Sequence, residues 1–113
     1  MVSRPWDYAR RMITRMWRGW TSAGDADSYE RFLVGELFPS MRGIPGFLGA
    51  DVLRHVDGEE VAFVTLTRFR TIDDIRAFAG EKFDVPVIEP QAEELLAHYD
   101  ERAVHFETSS FEA

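Results

Sequence analysis

The sequence predicts an α+β fold: one four-stranded antiparallel sheet with its elements in the order βαββαβ. Three observations carry this. Four segments, 12–20, 48–56, 61–69 and 103–108, have strand-like alternation or β-rich composition. Asp57-Gly58 joins the middle two, and such a dipeptide between alternating runs is a strong hairpin signal. Amphipathic helical segments fill the gaps before and after that hairpin. In about 100 residues this order is that of a ferredoxin-like sandwich.

In chain order, residues 1–10 read as an N-terminal arm, 11–108 as the domain and 109–113 as a C-terminal tail. In the first strand, Ile13, Arg15 and Trp17 share one face, and Met12, Thr14 and Met16 the other. TSAGDAD supplies capping residues for a helix whose apolar stripe is Ala26, Tyr29, Phe32, Leu33 and Leu37. Gly35 weakens that helix, and Pro39 bends or ends it. Gly43 to Gly49 form a turn-rich loop leading into the hairpin. Thr71 caps a second helix with Asp74 three residues on, and Gly80 stops it. A loop with Pro86 and Pro90 follows, then a short helix over 91–99 and the last strand.

Right-handed crossovers put strands one and three at the sheet centre. Strand three suits that place, with Val61, Phe63 and Phe69 on one face and Ala62, Val64 and Leu66 on the other. Two helices cover only one sheet face, so the second apolar face calls for a homodimer packed sheet to sheet.

The chain has 113 residues, 45% of them apolar, with nine Phe, three Trp and three Tyr. That is enough for one core but not for two domains. The net charge of −7 argues against nucleic acid as a partner, which requires Lys and Arg to neutralise phosphates. Residues 1–20 carry +4 and residues 89–113 carry −6, so the two ends either stand as two solvated segments or attract each other, within a protomer or across a dimer. No run of about 18 apolar residues offers a membrane span, and the first residues lack the apolar core of a secretory signal; a cytoplasmic location is expected. With no Cys there is no thiolate nucleophile, disulfide or Cys metal cluster, and no metal site is expected. There is no Asn, and Gln91 and Lys82 are the only residues of their kinds, which narrows any mechanism using a carboxamide or a Schiff base.

Several segments together resemble the antibiotic-biosynthesis-monooxygenase-like family of dimeric α+β barrels. They are MITRMWRG of strand one, IPGF at 44–47, VLRHVDGEEVAFVTLTRF, TIDDIRAFAG, VIEP at 87–90 and AVHFE at 103–107. The resemblance implies a cavity between sheet and helices. It also implies an activity such as that of family members which oxidise anthrones or quinols without flavin, metal or haem. The haem-degrading branch uses an Asn on strand one, a Trp ending strand three and a His beyond the second helix. At those places this chain has Arg15 to Trp17, Phe69, and Val87 with Ile88, so haem degradation is not expected.

Within such a cavity His105 is the candidate general base, because imidazole titrates near neutrality; equally, it can be a sheet histidine bonded to a neighbour. Arg15, Arg54 and Arg68 can bind a carboxylate or enolate, or pair with Asp and Glu. Trp17, Tyr29, Phe32, Phe63, Phe69 and Phe78 form either an aromatic substrate pocket or simply core. Glu89, beside Pro90, can reach the cavity mouth or stand as a solvated loop carboxylate. The expected function is a cofactor-independent monooxygenase of an aromatic or polycyclic phenol or quinol. The alternative is a non-catalytic barrel that binds a small apolar or aromatic ligand or serves a structural role.

Overall fold

A computed structural model describes residues 11–113; the arm read at 1–10 lies outside the described residues. The strands are β1 (Ile13–Ser22), β2 (Phe47–Asp57), β3 (Glu60–Phe69), β4 (Leu96–Tyr99) and β5 (Val104–Glu107). The α-helices are α1 (Ala26–Phe32), α2 (Phe38–Ser40), α3 (Ile72–Ala79) and α4 (Pro90–Leu95). The sheet is antiparallel in the order β2-β3-β1, and β4 and β5 both lie along the remaining edge of β1. Strands one and three are therefore central, as the crossover rule requires. No helix is long and apolar enough to cross a membrane.

The fourth strand position differs from the sequence expectation. The helix expected over 91–99 stops at Leu95, and Leu96–Tyr99 is a strand paired with Gly19, Trp20 and Thr21. The cause is tertiary. Gly19 has no side chain, and the Leu96 side chain fills that space, where a Cβ on residue 19 would sit 2.7 Å from Leu96 Cδ2. His98 stacks on Trp20 at 4.6 Å, and Tyr99 packs on Trp17. These contacts outweigh the helical spacing of 91–99.

The turns follow local chemistry. Ile44 to Phe47 close a β-turn through Phe47 N–H to Ile44 O at 3.1 Å; Pro45 is its second residue and Gly46, at φ 84°, its third. Gly58 takes φ 65° in the two-residue hairpin between Asp57 and Glu60. Thr71 Oγ1 accepts from Asp74 N–H, and Gly80 ends α3 at φ 86°.

Pro39 bends the first helix rather than ending it. A π-turn over Leu33–Leu37 precedes Pro39, and Phe38 N–H reaches back to Leu33 O. Pro39 has no N–H to offer the preceding turn and its ring crowds it, and the wider turn relieves both problems.

One sheet face carries the core. Tyr29, Leu33 and Phe63 pack with Leu96 in one cluster, and Ile13, Phe69, Ile72 and Ile75 form the other. The opposite face is also apolar. Met16 stands between Leu66 and Val104, Leu53 pairs with Val64, and Phe106 lies across from Thr14. Leu53, Val104 and Phe106 are each nearly half exposed. Among the described residues no helix covers this face. Among the described residues, two pairs of opposed charges from the chain ends meet within the protomer: Arg11 reaches Glu107 at 3.5 Å and Arg18 binds Asp100 at 2.7 Å.

Candidate functional site

The pleat of the central strands decides what faces the helices. Arg15 pairs with Thr67 and Trp17 with Thr65, and all four side chains point to the helix side. They floor a cavity of about 150 Å³. Tyr29 and Leu33 wall it from the first helix, Leu37 and Phe38 from the π-turn and α2, and Phe78 from α3. The segment Pro86 to Glu89 closes the remaining side. The extra residue in the π-turn is what brings both Leu37 and Phe38 to this wall.

Arg15 is the unusual group. Its side chain is buried among apolar walls, at 7% exposure. Nη1 donates to Phe83 O, Nη1 lies 2.9 Å from His105 Nε2, and Nη2 donates to Val85 O at 3.3 Å. No carboxylate of the described residues forms an ion pair with it. Burial lowers its pKa, and the longer-range charge of Asp84 acts the other way. The result is a guanidinium held by neutral acceptors at the bottom of an apolar cavity.

His105 belongs to the same network. Arg15 can only donate, so Nε2 accepts and the proton sits on Nδ1. Burial and, next, the Arg15 charge push its pKa down to about 4, with Asp84 opposing. The ring of Phe83 packs edge-on against it at 5.1 Å.

The other polar lining groups are few. Tyr29 is fully buried, and burial raises its pKa, so it stays a neutral phenol. Its hydroxyl has no hydrogen-bond partner among the described residues. Glu89 is the one carboxylate lining the cavity among the described residues, and it is exposed at the mouth. Trp17 turns its indole N–H away from the cavity, to Asp100 O at 2.7 Å.

Of the residues singled out from sequence, Arg15, Trp17, Tyr29 and Phe78 line the cavity together. His105 stands behind Arg15 rather than on the cavity surface. Phe32, Phe63 and Phe69 are core: Phe63 packs edge-on to Tyr29, and Phe69 packs on Phe47 and Phe78. Arg54 bridges β2 to the first helix through Asp27 at 2.9 Å and Glu30 at 3.1 Å. Arg68 faces the opposite sheet side and binds Asp51 at 2.6 Å. Sequence reading missed Thr65, Thr67 and Met41 in the lining. The two threonines follow from strand alternation once their register with Arg15 and Trp17 is known; nothing in the sequence marked Met41.

The residues do not fit haem. A cavity of about 150 Å³ holds one benzene-sized ring, not a tetrapyrrole. His105 Nε2 is committed to Arg15, and His98 lies on the other sheet face, bonded to Glu60. No group of His, Asp and Glu among the described residues has the geometry to hold a metal ion.

No protein-family model and no curated protein matches the sequence. Solved structures do match in fold. A Nitrosomonas europaea protein, provisionally described as an antibiotic biosynthesis monooxygenase, aligns at TM-score 0.64 and 13% identity, over 87% of this chain and 90% of its own. The haem degrader MhuD of Mycobacterium tuberculosis, solved with two haems in its active site, aligns at TM-score 0.60 and 20% identity, over 90% and 99%. A Streptomyces coelicolor monooxygenase, ActVA-Orf6, solved with nanaomycin D, aligns at TM-score 0.54 and 14% identity, over 93% of each chain. The chain has the ferredoxin-like α+β fold of the antibiotic-biosynthesis-monooxygenase-like proteins.

Proposed function

We propose that this protein is a cofactor-independent monooxygenase whose substrate is a single-ring phenol or quinol. The observation that carries this is the pairing of a benzene-sized, aromatic-walled cavity with a buried guanidinium that has no acidic partner in contact. The cavity size narrows the substrate. A polycyclic phenol exceeds about 150 Å³ unless the 86–89 segment moves away.

The chemistry divides between two charged groups. Glu89 at the mouth takes the proton from the ring hydroxyl, and Arg15 on the floor stabilises the resulting anion through the low-dielectric cavity. An electron-rich ring carbon ortho or para to the oxygen, one that bears hydrogen, forms a bond to O₂ and becomes a hydroperoxide. Loss of water from that carbon leaves a quinone: one oxygen atom enters the product and the other leaves as water. The four electrons come from the substrate, so no further reductant enters the balance.

His105 is a poor base for this step. Its Nε2 lone pair is taken by Arg15, and the ring stands behind Arg15 rather than on the cavity surface. We assign it instead to positioning Arg15.

Oxygen uptake and quinone absorbance with a panel of single-ring phenols and quinols test the proposal. Turnover by the wild type is expected, with kcat for Glu89→Gln lower by roughly 100-fold or more. Thermal stabilisation by the same compounds without turnover would leave a binding protein in place of the enzyme. Neither binding nor turnover would sink both readings.

A further inference from the structure

The hydrogen-bond inventory of Arg15 identifies the kind of anion this cavity takes. Its three contacts use both Nη1 protons, on Phe83 O and His105 Nε2, and one Nη2 proton, on Val85 O. The Nε proton and the second Nη2 proton have no partner among the described residues. These two nitrogens share one side edge of the planar guanidinium, with their protons parallel, and that edge matches the two oxygens of a carboxylate. No described side-chain nitrogen or oxygen is sealed off without a partner, so Nε keeps access to space, and Arg15 borders the cavity.

We infer that the cavity binds a single-ring aromatic carboxylate of the benzoate class, with its carboxylate seated two-fold on the Nε and Nη2 edge of Arg15. This rests on reading the cavity as the substrate site and names the substrate's second group. A lone phenolate oxygen satisfies that edge less well than two oxygens do. The charge balance points the same way. A buried cation without contact to a carboxylate costs several kcal/mol, and a ligand carboxylate supplies the missing partner. The walls set the rest: Leu33, Leu37 and Phe78 offer apolar contact to a ring, and the volume admits one ring. With the carboxylate on the floor, a ring hydroxyl at the far end points toward the mouth, where Glu89 stands. A hydroxybenzoate thus meets both charged groups with one molecule.

The test compares benzoate with benzamide, a neutral isostere, by calorimetric titration of the wild type at neutral pH. Benzoate is expected to bind at least about tenfold tighter, because both of its hydrogen bonds are charge-assisted. It should also shift the Arg15 Nε–H resonance in a nitrogen–proton spectrum. Arg15→Gln is expected to abolish the preference, and Arg15→Lys to keep part of it, since charge survives but the fork does not. If those variants fail to fold, the wild-type comparison and the Nε–H shift still decide. Equal binding of benzamide, or no binding of benzoate, overturns the inference. The two proposals fail separately. Benzoate binding without oxygen uptake on hydroxybenzoates removes the oxygenase reading and keeps the carboxylate site. Oxidation of neutral phenols with benzoate excluded does the reverse.

Discussion

At the scale of single residues, the site turns on one contact, Arg15 with His105 Nε2 at 2.9 Å. A histidine in a strand looks like a base because imidazole titrates near neutrality, but its neighbours decide what it does. Here the facing groups are the Arg15 guanidinium, the Asp84 carboxylate at longer range and the Phe83 ring. Protonating His105 would place a second positive charge against Arg15 and remove the lone pair that Arg15 uses. The folded pKa of about 4 lies below the usual 6.5, so the unfolded chain takes up the proton first as pH falls. Stability from this group is therefore complete above about pH 6.5 and lost progressively as the pH drops toward 4. His105→Gln retains an acceptor but cannot titrate. Thermal melts from pH 7 to 4 are expected to show a shallower acid loss for His105→Gln than for the wild type, with benzoate affinity at pH 7 nearly kept. Parallel acid curves for the two proteins would show that His105 does not titrate against Arg15.

At the scale of elements, local chemistry and tertiary demand divide what the sequence could show. The hairpin at Asp57-Gly58, the Thr71 cap, the Gly80 stop and the shared face of Ile13, Arg15 and Trp17 on β1 depend on neighbours within a few residues, and all were readable; which face of β1 turns inward was not. The strand at Leu96–Tyr99 was not, because its cause is a glycine 77 positions earlier in the chain, against which Leu96 fits. The candidate site shows the same division. Arg15, Trp17 and Tyr29 could be placed from strand alternation and helical spacing. Whether Arg54 and Arg68 face a cavity or a carboxylate depended on partners far off in sequence, and both found carboxylates. Phe32, Phe63 and Phe69 went to the core because aromatic residues at core spacing pack on one another before they line a void. One local element has a testable cost. Gly46 holds φ 84°, and a Cβ there would overlap the Asp74 carboxylate, which also bonds the Thr71 hydroxyl. Gly46→Ala is expected to destabilise by about 1–3 kcal/mol in urea unfolding at unchanged slope. Gly58→Ala meets only the backbone penalty, since nothing lies within 4 Å, and should cost less. An equal loss at both positions would mean that Asp74 yields freely.

At the scale of the whole molecule, the outer sheet face is the apolar surface that no helix of the described residues covers. An apolar strip runs across it from Leu53 through Val64 and Leu66 to Met16 and Val104, with Phe106 beside it. Its rim is charged and already satisfied: Arg68 holds Asp51, Arg18 holds Asp100, and His98 holds Glu60. Closed polar pairs around an open apolar centre are the anatomy of a protein interface. Arg11 and Arg18 already hold Glu107 and Asp100 within the protomer, and a net charge of −7 offers a second copy no attraction, so association must rest on apolar burial. We propose that two copies pack these faces together, and the wild type should sediment at twice 13.0 kDa, with no loss of dimer as salt is raised. Leu53→Glu and Phe106→Glu each place a carboxylate in the proposed contact. Both side chains are nearly half exposed in the protomer, so neither change disturbs the core. Each variant is expected to sediment as a monomer with an unchanged circular dichroism spectrum. The cavity lies on the opposite side of the sheet, so benzoate binding should persist in any folded monomer. A wild type that sediments at 13.0 kDa across the micromolar range would end the dimer proposal and leave the carboxylate site standing.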